Sequence, residues 1–324
     1  MLAAYAARLD PDHPLEALEV GERPEPRPTE GWRCLPVVAA GLNHHDLWSL
    51  RGVGLGAEQL PMILGCDAVA RHPEAGDVVI YPVVGGTPGW TGDLTLDPRR
   101  SLLSERHQGT LAEQVTVPEG HWIPRPAHLT PVEAAALSTS WLTAYRMLFS
   151  NAGVAPGDTV LVQGAGGGVA TALVQLGSAA GLRVWVTSRD GAKRERALGL
   201  GADRAFETGE RLPERVDAVL ESVGAATWTH SVNALRPGGS IVICGATSGD
   251  APARAELTKI FFKQLRVLGS TMGTLDELRR LGAFVTSKAL RPQVDSVFPL
   301  GDTAAALAKM EAGDVVGQIG IEVA

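Results

Sequence analysis

The stretch Asp-Thr-Val-Leu-Val-Gln-Gly-Ala-Gly-Gly-Gly-Val-Ala, residues 158 to 170, decides the fold of this chain. Its apolar run at 159–162 predicts a buried strand, and the glycines after it predict a tight turn that leads into a helix. Glycines let the backbone approach a ligand closely, and helix N-terminal amides attract phosphate. A second strand at 183–188 completes the strand–helix–strand unit of a dinucleotide site. The contacts predicted in the loop are Gly164, Ala165, Gly166, Gly167, Gly168 and Val169.

The rest of the chain is arranged around this unit. Residues 1 to 121 alternate short strands and turns, whereas helical and strand patterns alternate from 122 to 272, as in a doubly wound parallel sheet. Thr130-Pro131-Val132-Glu133 predicts a helix start, with threonine as N-cap and glutamate three positions on. The tail at 315–323 predicts a strand that returns to the first domain. The domains are therefore expected at 1–121 with 273–324, and at 122–272.

Composition narrows the class of protein. The 324 residues carry 45% hydrophobic and 20% charged side chains, as a two-domain globular enzyme does. A formal charge of −7 argues against a nucleic-acid partner, and no apolar run is long enough to span a membrane. The first residues lack a basic region with a cleavage site, so we expect no signal peptide. Three widely separated cysteines form no disulfide framework, which favours the cytoplasm.

The order of motifs resembles the medium-chain dehydrogenase/reductase superfamily over essentially the whole chain. Its closest likeness is to the quinone oxidoreductase-like and zinc-type alcohol dehydrogenase-like branches. The likeness implies a GroES-like β-rich catalytic domain beside the Rossmann domain, and a homodimer. It is carried by Asn43-His44-His45-Asp46, Gly65-Cys66-Asp67, Gly76-Asp77-Val78-Val79, residues 109–114, Leu142-Thr143-Ala144-Tyr145, the glycine loop and residues 198–203.

The resemblance also shows where this chain departs from its zinc-dependent members. Their catalytic zinc ligands correspond to Asn43, Cys66 and Thr139, and one thiolate cannot build that three-ligand site. The lobe at 83–108, where the family's structural zinc would need four cysteines, contains none. We therefore expect no metal. The alternative is an unusual site assembled from His44, His45, Cys66, Asp67 and His107.

The end of the second Rossmann strand predicts which cofactor binds. An acidic residue there would accept from the ribose 2′-hydroxyl of NAD, but this chain has Ser188 and Arg189, with Lys193 one turn later. These side chains suit a 2′-phosphate, so NADPH is predicted, although the two cations also fit ordinary surface charge. The resemblance adds Asn43, Thr143, Gly245, Ala246 and Ser270 as cofactor contacts. Gln318 stands where relatives carry a basic residue that touches the pyrophosphate, so that contact is expected to be neutral or absent.

Without zinc, hydrogen bonds must polarise the substrate, and a side chain must move the proton. His44 and His45 follow Asn43, where related reductases often have a tyrosine, and histidine suits proton donation near neutral pH. The alternative is that they bond the backbone or cap the helix. Trp48, Tyr81 and Trp141 are candidate walls of a substrate pocket between the domains, or else core residues.

These features predict an NADPH-dependent, zinc-independent reductase of a quinone, enone or related carbonyl. Two alternatives remain open: a catalytically silent NADPH-binding sensor or scaffold, and a zinc-type alcohol dehydrogenase.

Overall fold

The structure is a computed structural model that describes residues 1–323. Its strands are β1 (Leu2–Ala6), β2 (Leu18–Glu22), β3 (Trp32–Gly41), β4 (Met62–Ile63), β5 (Asp67–His72), β6 (Gly76–Ile80), β7 (Val83–Val84), β8 (Ser101–Leu102), β9 (Gln114–Pro118), β10 (Trp122–Pro124), β11 (Thr159–Gln163), β12 (Arg183–Thr187), β13 (Arg204–Phe206), β14 (Val216–Glu221), β15 (Leu235–Ile243), β16 (Arg266–Gly269), β17 (Val294–Pro299) and β18 (Gln318–Glu322).

The α-helices are α1 (His44–Leu50), α2 (Pro131–Ala135), α3 (Leu142–Tyr145), α4 (Gly168–Ala179), α5 (Gly191–Gly199), α6 (Trp228–Ala234), α7 (Leu257–Phe262), α8 (Leu275–Ser287) and α9 (Thr303–Ala312). Wider π-helical turns at Leu137–Trp141 and Arg146–Ala152 flank α3. The remaining helical pieces are short 3₁₀ turns.

The first compact unit comprises residues 1–142 and 273–323. Its main sheet runs in the order β10-β6-β5-β3-β18-β17, with β9 also paired to β3, and β1 lies between β2 and β4 in a smaller sheet. The tail strand pairs antiparallel with β3, where Gly320 stands opposite Gly41, so the predicted return of the tail is confirmed. Side chains such as Leu35, Val37 and Val78 fill the core beneath this sheet.

The segment 122–142 lies in this first unit, although the sequence assigned it to the nucleotide-binding domain. The physical reason is a long-range pairing: Ile123 of β10 stands opposite Val79 of β6. The predicted helix start is confirmed, since the Thr130 hydroxyl accepts from the Glu133 amide at 3.3 Å and the Glu133 carboxylate accepts from the Thr130 amide at 2.7 Å. The capped helix α2 packs against β3 and β5 of the same unit.

The second unit, Thr143–Met272, is built on a six-stranded parallel sheet in the order β13-β12-β11-β14-β15-β16. Numbered along the unit, this order is 3-2-1-4-5-6, that of a doubly wound dinucleotide-binding fold. Apolar strands dominate because both faces are covered: Val160, Leu161 and Val162 are all fully buried. The predicted combination of a Rossmann sheet and a β-rich domain is therefore confirmed.

Candidate cofactor site and vestigial metal position

The glycine loop has the backbone geometry of an anion site. Gly164, directly after β11, has a φ of +83°, which permits the sharp turn. Gly167 is the N-cap of α4, is exposed and has no side-chain cap, and a Cβ added to it would meet nothing within 4 Å. The first amides of α4, from Gly168 and Val169, have no acceptor within their own helix, and such amides are the donors that bind a pyrophosphate. Ala165 and Gly166 are buried beneath this turn.

Residues 188–194, directly after β12, include three cations and one carboxylate, Asp190. The Asp190 side chain caps α5, accepting from the amides of Ala192 at 2.8 Å and Lys193 at 3.3 Å. Arg194, which the sequence prediction missed, donates to the Ser188 carbonyl at 2.5 Å. The sequence does indicate a role for Arg194, because it lies on the first turn of α5 beside Lys193. Arg189 is exposed, while Ser188 and Lys193 are half-buried.

The other predicted contacts of the second unit lie at its strand ends. Gly245 and Ala246 follow β15 and are half-buried. Ser270 follows β16, and its buried hydroxyl has no hydrogen-bond partner among residues 1–323. Thr143, 7% exposed, begins this unit on α3. The carboxyl ends of a doubly wound sheet are where such a fold binds its ligand.

In the first unit, α1 places Asn43 and two carboxylates close together. Asn43 is the N-cap of α1, and its backbone amide donates to Asp46 Oδ2 at 2.8 Å. The other oxygen of Asp46 accepts from the Gly65 amide at 2.9 Å, which ties α1 to the segment before β5. Burial raises the pKa of Asp46 to about 7 despite these two amides. Asp46 therefore holds the start of α1 against the segment before β5.

Two of the positions that correspond to zinc ligands in the family, Asn43 and Thr139, form a polar cluster with Asp67. Burial raises the pKa of Asp67 to about 7, while contacts from Thr139 and Asn43 act in the opposite direction. Asn43 Nδ2, Thr139 Oγ1 and Asp67 Oδ1 are all buried, and none makes a well-formed hydrogen bond within residues 1–323. The cluster contains an amide, a hydroxyl and one carboxylate, which is not a zinc ligand set.

The Cys66 thiol makes its hydrogen bonds to a segment outside that cluster. It donates to the Leu103 carbonyl at 3.1 Å and lies 3.5 Å from Ser104 Oγ. Burial raises the pKa of the Cys66 thiol well above its usual value, and the thiol is used as a hydrogen-bond donor. Within the described residues, no three His, Cys, Asp or Glu side chains are arranged to hold a metal. The residues therefore do not fit the zinc of the family.

The two histidines of α1 differ in their surroundings. His44 is exposed, and partial burial of its ring together with Arg51 lowers its pKa. His45 is largely buried, and its Nε2 lies 3.8 Å from Glu105 Oε1, too far for a hydrogen bond. Burial lowers the pKa of His45 to about 4. Glu105 was missed by sequence reasoning because it lies far along the chain.

Two of the predicted pocket walls need correction. Tyr81 is 1% exposed and its hydroxyl donates to the Gly273 carbonyl at 2.9 Å, and Trp141 is 2% exposed, so both are core residues rather than pocket walls. Gln318 is buried, and its amide donates to the Leu42 carbonyl at 2.6 Å and to Asp67 Oδ2 at 3.3 Å. These bonds leave Gln318 no amide hydrogen for a pyrophosphate. Trp48 is half-buried and stays a prediction.

Comparisons with known proteins agree with this architecture. The model of the zinc-binding dehydrogenase family matches residues 168–287. The zinc-type alcohol dehydrogenase-like protein YogA of Leptosphaeria maculans is 31% identical over 315 residues, covering 87% of this chain and 86% of that protein. The crotonyl-CoA carboxylase/reductase of Cereibacter sphaeroides is 28% identical, covering 85% of this chain and 76% of that protein. A solved NAD-dependent alcohol dehydrogenase superposes with a TM-score of 0.91 at 32% identity, covering both chains completely.

The chain therefore belongs to the medium-chain dehydrogenase/reductase superfamily. It is an NAD(P)-dependent oxidoreductase related to crotonyl-CoA reductases and alcohol dehydrogenases. None of the helices in residues 1–323 has both the length and the apolar character needed to cross a membrane.

Proposed function

We propose that this chain is an NADPH-dependent, zinc-independent reductase of a quinone, enone or related carbonyl compound, acting in the cytoplasm. The residues that follow β12 are the observation that supports NADPH as the cofactor. The Asp190 carboxylate caps α5 through Oδ1, and the residue directly after β12, where an acid would accept from a ribose 2′-hydroxyl, is Ser188. The Arg189, Lys193 and Arg194 cations and the Ser188 hydroxyl offer donors to a 2′-phosphate instead.

The test is cofactor preference. The solved relative described above is NAD-dependent, so the proposal rests on this chain's own side chains. We expect a higher kcat/KM for NADPH than for NADH, and we expect Arg189→Ala with Lys193→Ala to weaken NADPH alone. Arg196→Ala, an exposed cation on the same helix, is the matched control. Comparable kcat/KM values for the two cofactors in the wild type would sink the proposal.

The zinc-independent part of the proposal rests on Asn43, Cys66 and Thr139. A bound nicotinamide supplies the hydride, while the chain must orient the substrate and move a proton. Stoichiometric zinc in purified protein, measured by elemental analysis, would contradict this part and favour an alcohol dehydrogenase. Turnover of NADPH across a panel of quinones, enones and aldehydes tests the substrate class.

His44 and His45 stay the proposed proton donors. His45 is neutral near pH 7 because its pKa is about 4, so it needs a carboxylate such as Glu105 to close in before it can carry a proton. His44 is the more exposed and needs no such change. Replacing each singly with Phe and following kcat against pH separates them, and unchanged turnover in both variants would end the donor role.

A sensor or scaffold is the second candidate function, because the metal position is lost and His45 is held neutral. Tight NADPH binding with no turnover of any compound on the panel would favour it. Measurable turnover with one simple quinone would favour the reductase.

A homodimer is part of the proposal. Among residues 1–323, β16 pairs only with β15 and so forms the sheet edge. Beside it in the chain, α7 exposes Leu257, Phe261 and Phe262 at 69%, 63% and 76%. We expect light scattering to give a dimer that Phe262→Asp dissociates, while Leu96→Asp, at an apolar residue 66% exposed in the other unit, leaves it intact. A monomeric wild type would refute the assignment.

A further inference from the structure

A buried chain of hydrogen bonds joins the ends of the three central strands of the parallel sheet. Thr187, the last residue of β12, donates to Gln163 Oε1 at 2.6 Å, and Gln163 is the last residue of β11. Gln163 Nε2 lies 2.9 Å from Ser231 Oγ and 2.9 Å from His230 Nδ1 on α6. Ser231 then donates to Glu221 Oε2 at 2.6 Å, and Glu221 ends β14.

The direction of each bond is fixed by chemistry. The amide nitrogen of Gln163 has two hydrogens, and Ser231 and His230 take one each. His230 Nε2 faces the Glu210 carbonyl at 2.9 Å, so that nitrogen carries the proton and Nδ1 accepts. Every polar atom of the Gln163 side chain is therefore used, and a partly satisfied version of this network would be costly.

Glu221 extends the chain into the turn after β14. Its Oε1 accepts from the amides of Val223 at 2.8 Å and Gly224 at 3.0 Å. That turn in turn bonds the loop after β15: the Ser248 amide donates to the Val223 carbonyl at 2.7 Å, and the Gly249 carbonyl accepts from the Ala225 amide at 2.9 Å. One connected network thus reaches from β12 to the loop that contains Gly245 and Ala246.

We propose that Gln163 is a positioning residue of the dinucleotide site, holding the loops after β11, β12 and β14 in one fixed arrangement through Ser231 and Glu221. These loops begin with Gly164, Ser188 and Ser222, directly after the bonded residues. Gln163 is itself fully buried, so it acts through the backbone of these loops and not on the cofactor. The role rests on the proposed cofactor site, but not on the choice between NADPH and NADH.

The test is Gln163→Met, which keeps the length of the side chain and removes its hydrogen bonds. We expect the Kd for the nicotinamide cofactor, measured by fluorescence titration, to rise about tenfold, since loosening this network should cost the loops their preorganisation. The KM for the cofactor should rise with it while kcat changes by less than about twofold. Gln175→Met is the matched control, because Gln175 is a buried glutamine of the same unit whose Nε2 has no partner in the described chain.

A double-mutant cycle with Ser231→Ala separates positioning from general stability. If both residues act through one network, Ser231→Ala alone should weaken cofactor binding, and it should add little in the Gln163→Met background. Ser231→Thr, which keeps the hydroxyl, should restore binding. If Gln163→Met fails to fold, comparing the cofactor Kd of Ser231→Ala with that of Ser231→Thr tests the same role.

The outcomes are distinct. If the wild type binds neither NADPH nor NADH, the proposed function fails and this role fails with it. If the wild type binds cofactor and folded Gln163→Met binds it as tightly, or Gln175→Met weakens it equally, the positioning role alone is wrong.

Discussion

The carboxyl group of Asp67 is expected to make the stability of this protein fall as pH rises. Asp67 is fully buried, and the side chains that lie against it, Asn43, Thr139 and Gln318, are all uncharged. Burial, with a smaller contribution from the nearby Asp46 carboxylate, raises its pKa from the usual 3.8 to about 7. Ionising Asp67 in the folded protein is therefore expensive.

The sign follows from the two pKa values. Below about pH 3.8 both the folded and the unfolded chain hold the proton, so this group contributes nothing to the pH dependence. Between 3.8 and about 7 the folded chain retains a proton that the unfolded chain has lost, and the free energy of unfolding falls as pH rises. The shift of roughly three units corresponds to about 4 kcal/mol at most, fully expressed above pH 7.

Replacing Asp67 with Asn removes this loss, because Asn imitates the protonated acid. Urea unfolding followed by tryptophan fluorescence should show the variant close to wild type near about pH 4 and more stable by up to about 4 kcal/mol near about pH 8. Asp12→Asn, at an exposed position, is the control and should alter stability equally at both pH values. If the curves for Asp67→Asn and wild type ran parallel from pH 5 to 8, the reasoning would be refuted.

Two further predictions concern the first unit. Gly109→Ala should destabilise the folded protein by on the order of 2 kcal/mol, because the new Cβ would lie 2.2 Å from the Leu64 carbonyl oxygen. Gly301→Ala is the control, since its Cβ would meet nothing within 4 Å. Equal melting temperatures for the two variants would contradict this. Asp97→Ala should expose the loop at 86–99 to proteolysis, since Asp97 accepts from Gly86, Thr87 and Arg99. Although burial raises the pKa of Asp97, these bonds bring it below its usual value, so the protection should also fade in acid. An unchanged cleavage rate would count against the anchoring role.

The parts of the fold that local patterns encode were predictable. The strand–glycine–helix order at 158–170 and the capping box at Thr130 depend only on neighbouring residues, and both are present. The domain boundary was misplaced because it depends on a three-residue strand, Trp122–Pro124, whose pairing with β6 is long-range. A three-residue run carries almost no periodicity from which to predict its partner.

The site was less predictable because burial is a tertiary property. Tyr81 and Trp141 are residue types that often line pockets, and only their burial in the structure shows that they belong to the core. In the structure a polar residue ends each of three adjacent strands, at Gln163, Thr187 and Glu221. Polar side chains at the carboxyl ends of adjacent parallel strands meet at one edge of the sheet, but no sequence pattern identifies Ser231 as the link.

The high pKa of Asp67 follows from the lack, among residues 1–323, of a zinc ligand set or a basic side chain beside it. A carboxylate buried beside a cation is stabilised in its charged form, and its pKa falls. In this chain the residues around Asp67 are the Asn43 amide, the Thr139 hydroxyl and the Gln318 amide, and none of them carries a positive charge. With neither a zinc ligand set nor a basic side chain in contact, Asp67 is a buried acid without a counter-charge. Introducing Gln318→Arg should therefore lower the pKa of Asp67 and flatten the stability profile above about pH 6, even though the cluster would still lack the ligands for a metal.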